Sequence, residues 1–245
     1  MRRTAFALAL SLLGATAAVA NGAQYHYVDW TTADPAMGTA SGVINIQGEA
    51  PIQVNFAATF ANGTHGSFFF AQTNGGTNYW NPTTPYISAQ VENPPPDPDI
   101  LALIGGENQI YTVTLSRPIA DPIMSIVSLG QPSVPTTYDF DSPFTIVSQG
   151  PGFFGGGPNA LVQLPGDILQ GSEGHGTIQF IGTFSTFSWV VPTPEQWHGF
   201  TFGVRGSAQT APVPLPDAAW MGLATMGGIG VLPLIRRRFG SAGVR

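Results

Sequence analysis

Between residues 21 and 207 the hydrophobic positions recur at every second residue, with no stretch of helical period. Ile52, Val54 and Phe56 alternate with Gln53 and Asn55, and Tyr111, Val113 and Leu115 with Thr112 and Thr114. Further on, Ile178 and Phe180 alternate with Thr177 and Gln179, and Phe187 and Trp189 with Thr186 and Ser188. Phe200, Phe202 and Val204 close the series. Such alternation turns one face of a strand to a core and the other to water. Gly, Pro, Asn, Thr and Ser interrupt it at short intervals, which predicts about a dozen short strands and an all-β fold of β-sandwich or jelly-roll type. Residues 177–182 and 183–191 are expected to pair as a hairpin. Pro192-Thr193-Pro194 then ends the pairing, because proline cannot donate to a ladder. Pro94-Pro95-Pro96-Asp97-Pro98 is a stiff extended segment, read as a surface loop or crossover.

The two ends follow a different pattern. Met1-Arg2-Arg3 precedes an apolar run broken only by Ser11 and Thr16, and Ala18-Val19-Ala20 has the form of a cleavage site. Residues 1–20 therefore read as a secretory signal peptide cut after Ala20, with an uncleaved anchor as the alternative. At the other end Val213-Pro214-Leu215-Pro216 leads into an uncharged run over 218–235, followed by Arg236-Arg237-Arg238. At ~1.5 Å per residue a helix of that length spans roughly 27 Å, close to the ~30 Å hydrocarbon core of a bilayer. Arginines directly after such a segment favour the cytoplasmic side, which leaves the main domain outside and residues 236–245 as a basic cytoplasmic tail. The expected order is signal peptide, ectodomain over 21–207, linker and proline motif over 208–217, membrane segment and tail.

The proline box, apolar segment and arginine cluster together resemble the PEP-CTERM sorting signal, in the VPLPA-CTERM variant that begins Val-Pro-Leu-Pro. Asp217 stands where that variant usually has a small apolar residue, and the chain runs on past Arg238. The resemblance implies a Gram-negative bacterium with an extracellular polysaccharide or biofilm matrix. It also implies an exosortase-like membrane protease as processing partner, acting near the motif. The implied location is the cell envelope before processing and the cell surface or matrix afterwards. The stretches 174–180, 187–189 and 197–202 are loosely similar to the closing strands of jelly-roll modules in proteins with such tails. That likeness implies a fold and not an activity.

Charge sharpens this picture. The chain has no lysine, and six of its eight arginines lie in the terminal signals. Arg117 and Arg205 alone face all the acidic residues but Asp217, so the ectodomain carries a net charge of about −11, against −6 for the whole chain. Such a surface repels phosphate backbones, and nucleic acid is not an expected partner. Cysteine is absent, which excludes disulfides and thiol chemistry and leaves stability to the packed core.

The candidate chemistry is sparse. His26, His65, His175 and His198 show no paired metal-binding spacing, and His65 and His175 read as loop histidines among glycines. Asp97 with Asp99, and Asp139 with Asp141, are acid pairs two residues apart, and calcium is the cofactor that oxygen-rich loops of this kind suit. Glycoside hydrolysis requires two carboxylates, and Glu173 and Glu195 are the pair that adjacent strands could bring together, although both read first as solvated loop acids. Neither a nucleophile elbow nor a phosphate-binding loop is present. Tyr79, Trp80 and Trp197, with Phe153 and Phe154, lie beside Gly, Asn or Pro, where aromatic rings either stack on sugars or plug a core. The leading expectation is a non-catalytic, surface- or matrix-associated β-sandwich that contacts extracellular polysaccharide. A secreted glycan-active hydrolase and a self-associating adhesion or surface-layer subunit are the alternatives.

Overall fold

The computed structural model describes residues 23–96 and 98–205. Ala18 and Ala20, the motif Val213, Pro214, Leu215 and Pro216, the apolar run 218–235, the arginines Arg236, Arg237 and Arg238, and Asp97 lie outside the described residues. Among the described residues no helix is long and apolar enough to cross a membrane.

The described chain is nearly all β. Its strands are β1 (His26–Tyr27), β2 (Asp29–Asp34), β3 (Thr39–Ile44), β4 (Ile52–Thr59), β5 (Phe70–Gln72), β6 (Ile100–Gly105), β7 (Ile110–Ala120) and β8 (Ile123–Leu129). After them come β9 (Thr136–Phe140), β10 (Phe144–Gln149), β11 (Leu161–Leu164), β12 (Ile168–Gly171), β13 (Gly174–Phe180), β14 (Thr183–Val190) and β15 (Glu195–Val204). They form two antiparallel sheets. One runs β10-β13-β8-β15-β6-β5, with β1 also on β15; the other runs β11-β12-β9-β14-β7-β4-β3-β2.

Where the sequence alternates cleanly, so does burial. Ile52, Val54 and Phe56 of β4 are buried while Gln53 and Asn55 are exposed, and Tyr111, Val113 and Leu115 of β7 follow suit. By contrast, β8 is buried at every position and β15 at nearly every one. Both of their faces are covered. The inner face meets the other sheet, and the outer face is overlaid by the segment between β5 and β6, whose Trp80 and Tyr86 pack against Ile100 and Val127. Tyr25, Tyr27 and Val91 cover Ile123 in the same way.

From β6 onward successive strands pass from one sheet to the other, except for the β11–β12 hairpin. The expected hairpin of 177–182 with 183–191 does not form. β13 pairs with β8 and β10, whereas β14 pairs with β7 and β9. The turn at Gly182 (φ +133°) instead carries the chain between sheets. Phe180 and Phe187 then meet across the core with ring centroids 4.7 Å apart. Local alternation is equally consistent with either partner, and shared burial of these two rings decides the outcome.

Trp189 sits at the middle of that core. Its indole contacts Phe56, Tyr111, Tyr138, Phe140 and Phe187 of its own sheet, and crosses to Phe200 of the other at 5.2 Å in an edge-on arrangement. Its Nε1 has no hydrogen-bond partner among the described residues. The indole therefore contributes through packing alone. Trp189→Ala is expected to lower unfolding free energy by about 3–5 kcal/mol, and Trp189→Phe, which keeps an aromatic ring and removes the unpaired donor, by much less. Denaturant unfolding of both variants checks this; equal losses would show that ring packing is not what Trp189 supplies.

Candidate functional site

The strands β13 and β15 flank β8, and each carries a ladder irregularity at the same end of the sheet. Val127 and Ser128 of β8 together oppose the single residue His175 of β13. In the same sheet, on the β6 side of β15, Gln196 and Trp197 of β15 together oppose Ile104 of β6. An extra residue in one strand bends it and re-aims its side chains. The first bulge puts Ser128 in the left-handed region at φ +59°, and Glu173, in the turn before β13, shares that value. The second sends Trp197 outward between buried Glu195 and buried His198.

Gly130 joins the two sides. Its N–H donates to Glu195 Oε2 at 3.0 Å, and its carbonyl accepts from the Glu173 N–H at 3.1 Å. Gly130 itself is left-handed (φ +72°), and a Cβ there would come within 2.1 Å of the Gly171 carbonyl oxygen. Only glycine fits the position.

Each glutamate is backed by a fully buried histidine. Glu173 Oε1 accepts a hydrogen bond from the Ser128 hydroxyl at 2.5 Å and lies 3.6 Å from His175 Nε2. His175 Nδ1 accepts from the Ser128 N–H at 3.4 Å and faces the Tyr86 hydroxyl at 3.3 Å. Burial lowers the His175 pKa to about 4. The ring is therefore neutral at pH 7, and with Nδ1 accepting, its proton is on Nε2, facing Glu173. Burial also raises the Glu173 pKa; the Ser128 hydroxyl opposes this and the nearby Glu195 charge adds to it. On the other side, His198 Nδ1 approaches Glu195 Oε2 at 3.0 Å, a close contact without the alignment of a hydrogen bond. The ring of His198 rests on Tyr138 at 5.3 Å.

Glu173 and Glu195 line one open cleft of about 450 Å³ together with Ser128, Gln131 and Gln196. Its aromatic wall is Tyr79, Phe154 and Trp197. Tyr79 and Phe154 each lie 5.1 Å from Trp197 between ring centroids, and Phe154 is 48% exposed. Phe153 and Phe70 extend this cluster at either side.

Several sequence expectations change here. His175 is a strand residue and not a loop histidine. Its flanking glycines are there because a Cβ at Gly174 would meet Leu161 at 2.3 Å and one at Gly176 would meet the Ser148 carbonyl at 2.3 Å. Glu195 is 8% exposed within β15, and the Glu173 side chain is 13% exposed; neither is a solvated loop acid. Trp80 is buried, edge-on to Tyr86, and its indole N–H donates to the Asp99 carbonyl at 3.2 Å, so its ring faces no ligand surface. Asp99 accepts from the Trp30 N–H at 2.8 Å, and burial raises its pKa. Asp139 and Asp141 border a second, smaller depression of about 260 Å³, where Asp141 accepts from the N–H and hydroxyl of Ser188. Among the described residues no three His, Asp or Glu side chains are grouped to share a metal ion. Ser128, Gly130 and the histidine pairing carried no signal in the sequence, because the bulges that create them have no local signature.

Comparison with protein-family models, curated proteins and solved structures gives no match to this chain.

The neutral, buried His175 makes stability pH-dependent in a defined direction. Its folded pKa is about 4, below the ordinary 6.5, so the unfolded chain takes up a proton first as pH falls. Stability is full above about pH 6.5 and declines toward pH 4, by an amount on the order of 3 kcal/mol. The raised pKa of Glu173 acts in the opposite sense as that carboxylate protonates. Thermal unfolding from pH 7 to 4 should therefore show a steep fall in the wild type and a shallower one in His175→Gln. Parallel curves for the two proteins would contradict the assignment.

Proposed function

We propose that this chain is an exported jelly-roll protein of the cell surface or extracellular matrix that binds neutral polysaccharide in the Tyr79–Phe154–Trp197 cleft. The observation that carries the reading is the aromatic wall itself: three rings beside polar Gln131 and Gln196, with Phe154 exposed and Tyr79 and Trp197 half-buried, on a molecule whose other large aromatics are mostly buried. Aromatic faces bind the apolar C–H patches of sugar rings, and amide side chains complement their hydroxyls. The charge of the ectodomain and the two cleft glutamates favour uncharged polymers over acidic ones.

The strand order supports the jelly-roll part. With the β10–β11 excursion set aside, β6-β15-β8-β13 and β7-β14-β9-β12 are the two four-stranded halves expected of that topology, and the chain alternates between them. Rings from both sheets join one core cluster, as a sandwich requires. The export signal, the Val-Pro-Leu-Pro motif and the arginine cluster support the location, with an exosortase-like protease as the processing partner.

Two measurements test the reading. Binding of the exported protein to immobilised β-1,3-glucan, β-1,4-glucan, mannan and xylan should include at least one partner, with Tyr79→Ala and Trp197→Ala each weakening it about tenfold, roughly 1.4 kcal/mol. No binding to any of them, or unchanged binding in both variants, would overturn it. Mass spectrometry of the protein recovered from its producing cells should show an N-terminus at Asn21 and a C-terminus lost near Val213 to Asp217. A chain ending at Arg245 would refute the processing.

A further inference from the structure

We infer that Glu173 and Glu195 form an acid–base pair that hydrolyses glycosidic bonds in the polysaccharide held by this cleft. The inference rests on the binding reading above and extends it from binding to catalysis.

Three independent observations support it. First, the two carboxyls share one cleft, yet their surroundings differ, which is the condition for dividing acid and base roles. Both protein contacts of Glu173 fall on Oε1. The Ser128 hydroxyl donates to it, and the Nε2 proton of His175, buried and otherwise unpartnered, faces it. Oε1 is thus kept as an acceptor, and a proton on this carboxyl belongs on Oε2. Glu195 is held differently: Oε2 takes the Gly130 N–H, and Oε1 is left to accept a proton. Burial and the Glu195 charge both favour the protonated form of Glu173, as an acid catalyst needs.

Second, the spacing suits the reaction. β13 and β15 flank β8, so their backbones lie about 10 Å apart, twice the strand spacing. A span of that size accommodates the ~6.5–9.5 Å carboxyl separation that leaves room for a water between acid and base. Gly130 ties the two sides together, since its N–H donates to Glu195 and its carbonyl accepts from the Glu173 N–H.

Third, two of the five left-handed non-glycine residues among the described residues meet here. Ser128 and Glu173 are both non-glycine residues at φ +59°, and they are hydrogen-bonded to each other. Left-handed backbone at such residues costs roughly 1 kcal/mol or more each and persists where a fixed geometry is needed.

The step balances without a further reactant. Glu195 takes a proton from water as the water oxygen bonds to the anomeric carbon. The bond from that carbon to the glycosidic oxygen breaks, and Glu173 delivers its proton to the departing oxygen. One water is consumed, two sugar ends are released, and proton exchange with solvent restores both carboxyls.

The test uses the exported protein and those of the four polysaccharides that it binds, with new reducing ends as the readout. Wild type should release them. Glu173→Gln and Glu195→Gln should each lower the rate 10²- to 10⁴-fold, while polysaccharide affinity and thermal stability at pH 7 stay near wild type. A 2,4-dinitrophenyl glycoside of the matching sugar separates the roles, because its leaving group needs no proton. Glu173→Gln should lose far less on this substrate than on polysaccharide, and Glu195→Gln should lose comparably on both. Binding without release of reducing ends by the wild type would overturn the hydrolytic inference and leave the binding proposal standing. Absence of binding would overturn both. Release unaffected by either substitution would remove these two residues from the chemistry.

Discussion

The contact of Trp189 with Phe200 across the two sheets is the interaction on which the rest depends. The chain has no disulfide, and its described part has two arginines, of which Arg117 is bound to Glu49 at 2.5 Å. Nothing covalent and little that is ionic ties one sheet to the other. The sheets are joined by rings: Trp189 and Phe200 at 5.2 Å, Phe187 and Phe202 at 5.0 Å, Phe140 and Phe180 at 5.1 Å. These contacts fix the inner faces of β13 and β15. Ile178, Phe180, Phe200 and Phe202 are all completely buried. Ser128, Glu195, Gln196 and Trp197 of the cleft come from the other ends of β8 and β15, while Tyr79, Phe154 and Glu173 come from connecting segments.

The two bulges convert that rigidity into a site. An uninterrupted strand would alternate its side chains between the core and the covered outer face, and both faces here are closed. The extra residue in β15 gives Trp197 an outward path while Glu195 and His198 stay buried at either side of it. The extra residue in β8 brings the Ser128 hydroxyl to Glu173 and its N–H to His175. Bulges need a partner strand to brace them, and here β13 and β6 do so with wholly buried residues such as Ile178 and Leu103.

This division also explains what could be read from the sequence. β4, β7 and β14 were legible, because one of their faces is wet and the alternation is preserved along them. The character of β8 and β15 as central strands was only half legible: Phe200, Phe202 and Val204 stood out, but the residues between them are buried as well. Pairing partners could not be read, since Phe180 and Phe187 satisfy the same periodicity in a hairpin or across a core. The glycines beside His175 misled for a related reason. Close packing against Leu161 and Ser148 selects glycine as strongly as a loop does. In the cleft, Tyr79 and Trp197 were visible as aromatics at breaks in the pattern. Trp80 carried the same signal and packs inward, because the segment that presents Tyr79 must also cover Ile100 and Val127. Glu173 and Glu195 stood out as an acid pair and do line one cleft, but not from adjacent strands, since β8 lies between β13 and β15.

The scarcity of cations gives the cleft its electrostatic character. None of its lining residues is basic, and His175, the nearest ring to Glu173, is neutral at pH 7. With no cation there, burial and the nearby Glu195 charge raise the Glu173 pKa against the opposing Ser128 hydroxyl. The same scarcity acts at longer range, since residues 21–207 carry a net charge of about −11.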